Sequence, residues 1–254
     1  MNYHQAAELL DRAASTAQPV AQLNHRRSFN LEEAYAIQSI SIGRRLARGE
    51  QLTGMKLGFT SKAKMEQMGV HDMIWGQLTD AMTYQPGADL RKSQFIHPRA
   101  EPEIAFRLAK AIDQPLQLET AARYVDGLAV ALEIIDSRYE NFKFSLEDVV
   151  ADNCSSTAYV LGDWQPVNSP IRDISIELCI DEAIVHAGNS DAILGNPWES
   201  LVNATRLALD HGVVLAAGQI ILAGAATAAV YLEAGQKVSA VAEGLGEVTI
   251  NVVP

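Results

Sequence analysis

Residues 101–108 read EPEIAFRL, and the order of polar and apolar side chains in this stretch decides the fold. Apolar residues occupy every second position from Ile104 to Leu108, which is the two-residue repeat of a β-strand. Residues two apart on a strand point to the same side, so Glu101 and Glu103 place two carboxylates next to each other. The stretch therefore predicts a strand with one apolar face and an acidic end.

A third acidic residue lies in another apolar run. Residues 128–135 read LAVALEII, and Glu133 is the charged residue among them. A carboxylate buried in a strand needs a partner. If the two strands are neighbours, Glu133 meets Glu101 and Glu103, and the repulsion among three carboxylates requires a cation or a base. Three oxygen ligands that leave open positions are typical of Mg²⁺ or Mn²⁺.

The acidic pair has a second interpretation. Glu101 and Glu103 also fit an exposed strand face on which they pair with Arg99 and Arg107, and solvated ion pairs of this kind are common. An exposed face does not explain an acid in the apolar run around Glu133. Spacing alone leaves both interpretations open.

The remaining pattern predicts an α+β fold, because helices dominate the first third of the chain and strands dominate the rest. Asn30 followed by Glu33 is typical of a capping box at a helix start. The predicted helices span residues 3–17, 30–49, 62–68, 118–124 and 197–211. Further predicted strands span residues 52–59, 157–161, 174–180, 219–223, 228–232, 237–241 and 247–253. We expect a helical N-terminal part at residues 1–70 and a β-rich part at residues 71–254.

Composition excludes several classes of protein. The formal net charge is −11, which disfavours a nucleic-acid partner because phosphate binding needs clustered Lys and Arg. No apolar run approaches the roughly 18 residues of a membrane span, and the N-terminus has no signal-peptide profile, so we expect a cytoplasmic protein with no membrane partner. Cys154 and Cys179 lack the spacing of a disulfide scaffold or a thiolate zinc site.

Several motifs carry a resemblance to a known family. Residues 55–61 (MKLGFTS), 97–105 (HPRAEPEIA) and 133–139 (EIIDSRY) resemble the fumarylacetoacetate hydrolase superfamily. The similarity is closest to its branch of 2-oxopent-4-enoate hydratases and 4-oxalocrotonate decarboxylases, which act in aromatic meta-cleavage catabolism. The same branch is matched by residues 140–144, 149–153, 155–157, 194–197 and 224–227.

The resemblance implies a fold and a set of functional residues. The implied fold is a mixed β-roll at residues 71–254 with a small helical N-terminal part. The family's acidic metal ligands, which hold Mg²⁺ or Mn²⁺, map onto Glu101, Glu103 and Glu133. Its active-site lysine maps onto Lys56, which would otherwise be interpreted as a surface lysine at a strand end.

One position bears on the reaction within this branch. Hydratases of the branch resemble one another in carrying an acid before an aromatic-glycine pair, whereas this chain has Ile74 before Trp75 and Gly76. An apolar residue suits the departure of CO₂ from a weakly solvated carboxylate. We therefore expect decarboxylation of 2-oxohex-3-enedioate to 2-hydroxypenta-2,4-dienoate, with hydration of 2-oxopent-4-enoate as the alternative. Asp72 is a second candidate for the hydratase acid.

The remaining roles are hypotheses. Asp136 or Arg138 orients the site, and Thr227, at a glycine-rich turn, donates to a substrate carboxylate. The resemblance also implies a homo-oligomer and a complex with the pathway hydratase. Alternatives from other classes are a non-catalytic 2-oxo acid binding protein, a structural partner in an assembly, and a hydrolase of C–C bonds in diketo acids. The hydrolase is disfavoured because no His–Glu pair accompanies the Lys56 or Glu101 motifs.

Overall fold

The computed structural model describes residues 1–60, 65 and 72–254. Residues 62–64 and 66–68 of one predicted helix, and the predicted boundary between residues 70 and 71, lie outside the described residues. The helices in the described part are α1 (Tyr3–Thr16), α2 (Leu31–Ala47), α3 (Leu118–Ala121), α4 (Leu146–Ala151) and α5 (Pro197–Asp210). No helix of the described chain combines the length and the apolar character that crossing a bilayer requires.

The strands form two sheets, and the predicted α+β fold is confirmed. An eight-stranded sheet has the order β2-β1-β10-β5-β6-β7-β3, with β11 paired to another part of β5. A five-stranded sheet has the order β4-β13-β12-β8-β9. The strands are β1 (Leu52–Gly58), β2 (Ile74–Thr79), β3 (Thr83–Tyr84), β4 (Asp89–Arg91), β5 (Arg99–Leu108), β6 (Val125–Ile135), β7 (Ser156–Leu161), β8 (Ser175–Ile180), β9 (Ala183–Asn189), β10 (Ile220–Leu222), β11 (Val230–Tyr231), β12 (Lys237–Ala242) and β13 (Gly246–Val253).

The predicted capping box forms at the start of α2. The Asn30 side chain accepts a hydrogen bond from the backbone N–H of Glu33 at 2.8 Å, and the Glu33 carboxylate accepts one from the Asn30 N–H at 2.9 Å. These bonds satisfy two backbone groups that the first turn of a helix leaves without partners.

The eight-stranded sheet has two different faces because side chains alternate along β5 and β6. Ile104 and Phe106 on β5 belong to the large hydrophobic core, which continues into the five-stranded sheet. Ala105 and Ala131 lie on the opposite face, in a smaller apolar cluster with Leu222. Glu101, Glu103 and Glu133 share the parity of this second face. The strand repeat thus places the acidic residues away from the main core.

Close packing between β1 and β10 generates a stability prediction. Gly54 pairs with Ile220, and a Cβ atom at Gly54 would lie 2.0 Å from the Ile220 carbonyl oxygen. Gly54→Ala must therefore push two paired backbones apart, and we expect it to lower the free energy of unfolding by about 1–3 kcal/mol. Urea denaturation followed by circular dichroism measures the change.

The matched control is Gly43→Ala in α2, where a Cβ atom meets nothing within 4 Å. Alanine favours a helix interior over glycine, so this variant should gain about 0.5–1 kcal/mol. Equal effects of the two substitutions would contradict the packing described for β1 and β10.

Candidate metal centre

Antiparallel pairing of β5 and β6 brings three carboxylates together. Glu101 lies opposite Glu133, and Glu103 lies opposite Ala131 in the same register. Glu103 and Glu133 are fully buried and Glu101 is 8% exposed. One carboxylate oxygen from each of the three lies within 4.8 Å of the other two. The expected proximity of the two acidic strands is therefore present in the structure.

Lys56 reaches the same place from a distant part of the sequence. It lies on β1, which runs parallel to β10, and its register partner there is Leu222. Leu222 in turn pairs with Ala105 of β5, so Lys56 shares the face of the sheet that carries the acids. Its Nζ lies 2.9 Å from Oε2 of Glu133, and the side chain is buried.

The centre carries more negative than positive charge. Burial, followed by the charge of Glu133, raises the pKa of Glu103 well above its ordinary value. Burial also raises the pKa of Glu133, and Lys56 opposes that rise. Burial lowers the pKa of Lys56, but Glu133 and its two acidic neighbours outweigh that effect, and the net shift is upward. Lys56 is therefore an ammonium, and a further cation would relieve the remaining repulsion.

Two carboxylate oxygens in this centre lack hydrogen-bond donors. Oε1 of Glu103 and Oε1 of Glu133 are buried and accept no hydrogen bond from the residues that the structure describes, and Oε2 of Glu133 faces the Lys56 ammonium. Buried polar atoms in proteins are normally hydrogen-bonded, so such open lone pairs need an explanation. Carboxylate oxygens are the ligands that Mg²⁺ and Mn²⁺ prefer. The residues present thus fit a divalent cation.

Gly224 holds one of the acids, a role that sequence reasoning did not give it although residues 224–227 were among the matching stretches. Its backbone N–H donates to Oε2 of Glu103 at 2.7 Å. The backbone has φ of +105°, and a Cβ atom here would lie 2.1 Å from Oγ1 of Thr60. A glycine is therefore required at this point. The backbone N–H of Ala226, which donates to the carbonyl oxygen of Pro102 at 3.0 Å, fixes the loop along β5.

Asp136 and Arg138 are both engaged by neighbouring loops. The Asp136 carboxylate accepts hydrogen bonds from the backbone N–H groups of Ile96 at 2.8 Å and His97 at 2.7 Å. Arg138 forms a buried ion pair with Asp152 and also contacts its backbone carbonyl oxygen. Burial, opposed by Arg138, raises the pKa of Asp152 to about 6. These contacts connect the end of β6 to the segments around it, and the predicted orienting roles stay hypotheses.

The two candidate substrate-binding residues lie in different settings. Ile74 is buried on β2, and its Cγ1 atom lies 2.9 Å from where a Cβ atom at Gly58 would be. The pairing of β1 with β2 places Ile74 on the same face of the sheet as Lys56. Thr227 follows the Gly224 loop, and its hydroxyl donates to the carbonyl oxygen of Ala228 at 3.2 Å. Both assignments stay predictions.

The competing interpretation of the acidic pair is wrong, because Glu101 and Glu103 are buried rather than exposed. Arg107 instead forms an ion pair with Asp126.

Cys154 is a buried thiol that donates to the carbonyl oxygen of Trp75 at 3.0 Å. Burial raises the pKa of Cys154 to about 12, so it is a neutral packing group.

Comparison with known proteins gives consistent matches over nearly the whole chain. A model of the fumarylacetoacetate (FAA) hydrolase C-terminal family matches residues 53–253. A 4-oxalocrotonate decarboxylase from Pseudomonas sp is 42% identical over 251 residues, which cover 99% of this chain and 98% of that protein. A 2-keto-4-pentenoate hydratase from Paraburkholderia xenovorans (strain LB400) is 34% identical, with 96% and 92% covered.

A solved structure shares the fold. It is the 4-oxalocrotonate decarboxylase from Pseudomonas putida G7 complexed with magnesium and adipate, and it is 32% identical in sequence. The TM-score is 0.95, and the match covers 99% of this chain and 97% of that one.

The charge of the carboxylate cluster predicts that Glu103→Gln changes the free energy of unfolding in opposite directions without and with metal. Glu103→Gln removes one of three buried acids, and the amide oxygen still accepts the Gly224 N–H. Because burial raises the pKa of Glu103, its ionised form opposes folding at pH 8. Without metal, we expect the free energy of unfolding of the variant at pH 8 to be higher than that of wild type, because the variant buries one acid fewer.

With Mg²⁺ or Mn²⁺ added, the order should reverse. Wild type gains about 2.7 kcal/mol at a metal concentration of about 100 Kd, whereas Glu103→Gln gains less because it has lost a ligand. Thermal unfolding with and without metal measures both signs. Glu247→Gln on β13, an exposed position, is the control and should change neither. A variant that responds to metal as wild type does would remove Glu103 from the ligand set.

Proposed function

Because the chain belongs to the fumarylacetoacetate hydrolase C-terminal family, we propose that it is a divalent-metal-dependent decarboxylase of 2-oxohex-3-enedioate (4-oxalocrotonate) in aromatic meta-cleavage catabolism. The products are 2-hydroxypenta-2,4-dienoate and CO₂. The observation that carries this proposal is the buried group of three carboxylates beside Lys56, in a chain whose full length resembles a 4-oxalocrotonate decarboxylase at 42% identity.

In this proposal Glu101, Glu103 and Glu133 hold Mg²⁺ or Mn²⁺. Support comes from the buried Oε1 atoms of Glu103 and Glu133, which have no donor, and from a relative of the same fold that was solved with magnesium. When bound, the cation draws electron density from a 2-oxo acid through its carboxylate and carbonyl oxygens and so stabilises negative charge at that end. The adipate in that relative is a dicarboxylate with six carbons, as is the proposed substrate.

Lys56 supplies a fixed positive charge and a hydrogen-bond donor. Decarboxylation breaks the bond between C5 and the C6 carboxylate, and the electron pair moves through the conjugated chain to the 2-oxo oxygen. The Lys56 ammonium, held by Glu133 at 2.9 Å in a buried site, is placed to hydrogen-bond that oxygen as its charge develops. The enolate oxygen then takes up one proton from solvent, which yields the neutral 2-hydroxy group of the product.

Other residues shape the substrate pocket in this proposal. Ile74 provides an apolar wall on the face that carries Lys56, which keeps water from the leaving carboxylate. Thr227 donates to a substrate carboxylate. Asp136 and Arg138 act as positioning residues, since their hydrogen bonds hold the segments that flank the end of β6.

Hydration of 2-oxopent-4-enoate is the second candidate, favoured by the hydratases that are 34% identical to this chain. That reaction needs an acid near the far end of the substrate. Asp72, the candidate acid, is exposed and pairs with Arg206 at 2.8 Å on the surface. An acid held in this way is poorly placed to protonate a buried substrate, so decarboxylation is the preferred function. A non-catalytic 2-oxo acid binding protein leaves the placement of Lys56 unexplained.

The proposal extends to assembly and location. We place the protein in the cytoplasm, where the two free buried cysteines, Cys154 and Cys179, match a reducing compartment. The proposed assembly is a homo-oligomer that also binds the hydratase that consumes the product.

Light scattering coupled to gel filtration tests the assembly. We expect a mass that is a multiple of 27.5 kDa for the protein alone, and a larger complex when a pathway hydratase is added. A monomer in both runs would contradict the proposed assembly.

Product analysis tests the function. Purified protein with Mg²⁺ and 2-oxohex-3-enedioate should release CO₂ and 2-hydroxypenta-2,4-dienoate in equal amounts. The dienoate is measured by its ultraviolet absorbance. Lys56→Met should lower kcat by about 10²-fold or more, because a fixed charge at a developing oxyanion contributes on this scale. Lys237→Met, at the exposed start of β12 in the five-stranded sheet, is the control. Consumption of 2-oxopent-4-enoate without CO₂ release from the dicarboxylate would favour the hydratase instead.

A further inference from the structure

We propose that Arg99 binds the distal carboxylate of the substrate and makes the site selective for dicarboxylates over monocarboxylates. The inference rests on the proposed function, because it assumes that a 2-oxo acid lies at the carboxylate cluster. It adds a specificity residue to that site. Four features of Arg99 support it: its position, its rigid packing, its lack of an acidic partner and its charge.

Arg99 lies at the start of β5, two residues before Glu101. Side chains two apart on a strand share a face, so Arg99 is on the side of the sheet that carries the acids. Its register partners are Ile135 on β6 and Tyr231 on β11. Two residues of strand span about 6.6 Å. Arg99 is therefore the next side chain beyond the carboxylate cluster on this face of β5.

Two aromatic rings hold the guanidinium group. Its central carbon lies 3.9 Å from the ring centroid of Phe142 and 4.0 Å from that of Tyr231. One guanidinium nitrogen also donates to the Tyr231 hydroxyl. Stacking of this kind fixes the plane of an arginine and leaves its edge free for hydrogen bonding. The donor edge is therefore oriented before any ligand binds.

Arg99 has no acidic partner in the part of the chain that the structure describes. Its Nε is buried and makes no hydrogen bond there. Arg107, on the same strand face, instead pairs with Asp126, and Arg138 pairs with Asp152. Arg99 is partly buried, and a buried Nε donor without an acceptor is costly, so a carboxylate ligand that accepts from the guanidinium would stabilise it.

Charge and length also match a dicarboxylate. The three acids, Lys56 and a divalent cation have no net charge together, so a dicarboxylate brings two negative charges that the cluster does not balance. Arg99 supplies one positive charge, at the distal carboxylate. A chain of six carbons, with bonds of about 1.5 Å, is about 6 Å long when extended. That length is close to the spacing between Glu101 and Arg99 along β5, so one end can lie at the acids while the other reaches the guanidinium.

The test compares two ligands that do not react. 2-Oxoadipate and 2-oxohexanoate both have six carbons and a 2-oxo acid end, and only the former has a distal carboxylate. Calorimetry with the Mg²⁺-loaded protein measures both affinities. Wild type should prefer 2-oxoadipate, and Arg99→Gln should weaken 2-oxoadipate by about 10-fold or more because a charge-assisted hydrogen bond is lost. The affinity for 2-oxohexanoate should stay within about twofold.

Arg107→Gln is the matched control, since Arg107 lies on the same face of β5 and also stacks on an aromatic ring, at 4.7 Å from Trp164. It should change neither affinity. Arg99→Lys keeps the charge without the planar stack and should recover part of the preference for 2-oxoadipate. This variant also keeps the inference testable if Arg99→Gln fails to fold.

Three results would overturn the inference: equal loss of both ligands in Arg99→Gln, wild-type binding of both ligands by that variant, or a wild-type protein without preference for 2-oxoadipate. Failure of the proposed function is a separate result. A protein that releases no CO₂ but loses its preference for 2-oxoadipate in Arg99→Gln would retain the inference and refute the decarboxylase.

Discussion

The repulsion among three buried carboxylates is the constraint on which the rest of the site depends. Glu101, Glu103 and Glu133 are held within a few ångströms of each other by backbone pairing between β5 and β6, so they cannot move apart without breaking the sheet. Lys56 compensates only one of the three charges. The fold thus keeps an acidic cluster that a divalent cation can stabilise, and the chemistry of a 2-oxo acid follows from that cation.

The two faces of the eight-stranded sheet have different roles, one in the core and one at the candidate site. Large side chains such as Phe106 fill the main core on one face. Small residues such as Ala105 and Ala131 lie on the other face, next to the acids along β5 and β6. The loop at Gly224 is held along β5 by backbone hydrogen bonds and donates to Glu103. The acids are therefore oriented by rigid strands and a fixed loop, as a preorganised site requires.

Local patterns predicted the parts of this structure that depend on local physics. The alternation in β5, the acid within β6 and the capping box at Asn30 were each visible in the sequence and are present in the fold. Strand β2 was missed because all six of its residues are buried, which removes the two-residue alternation. Lys56 reaches the acids only through the pairing of β1 with β10, more than 160 residues away, so it was predictable from family resemblance and not from spacing.

A crystal of this protein grown with Mn²⁺ gives the most direct test of the cation site. Anomalous scattering recorded at the manganese edge locates the ion independently of any model of the side chains. We predict one strong peak in contact with carboxylate oxygens of Glu101, Glu103 and Glu133. A peak elsewhere, or an ordered protein in saturating Mn²⁺ with no peak between these three residues, would contradict the assignment of the cluster as a metal centre.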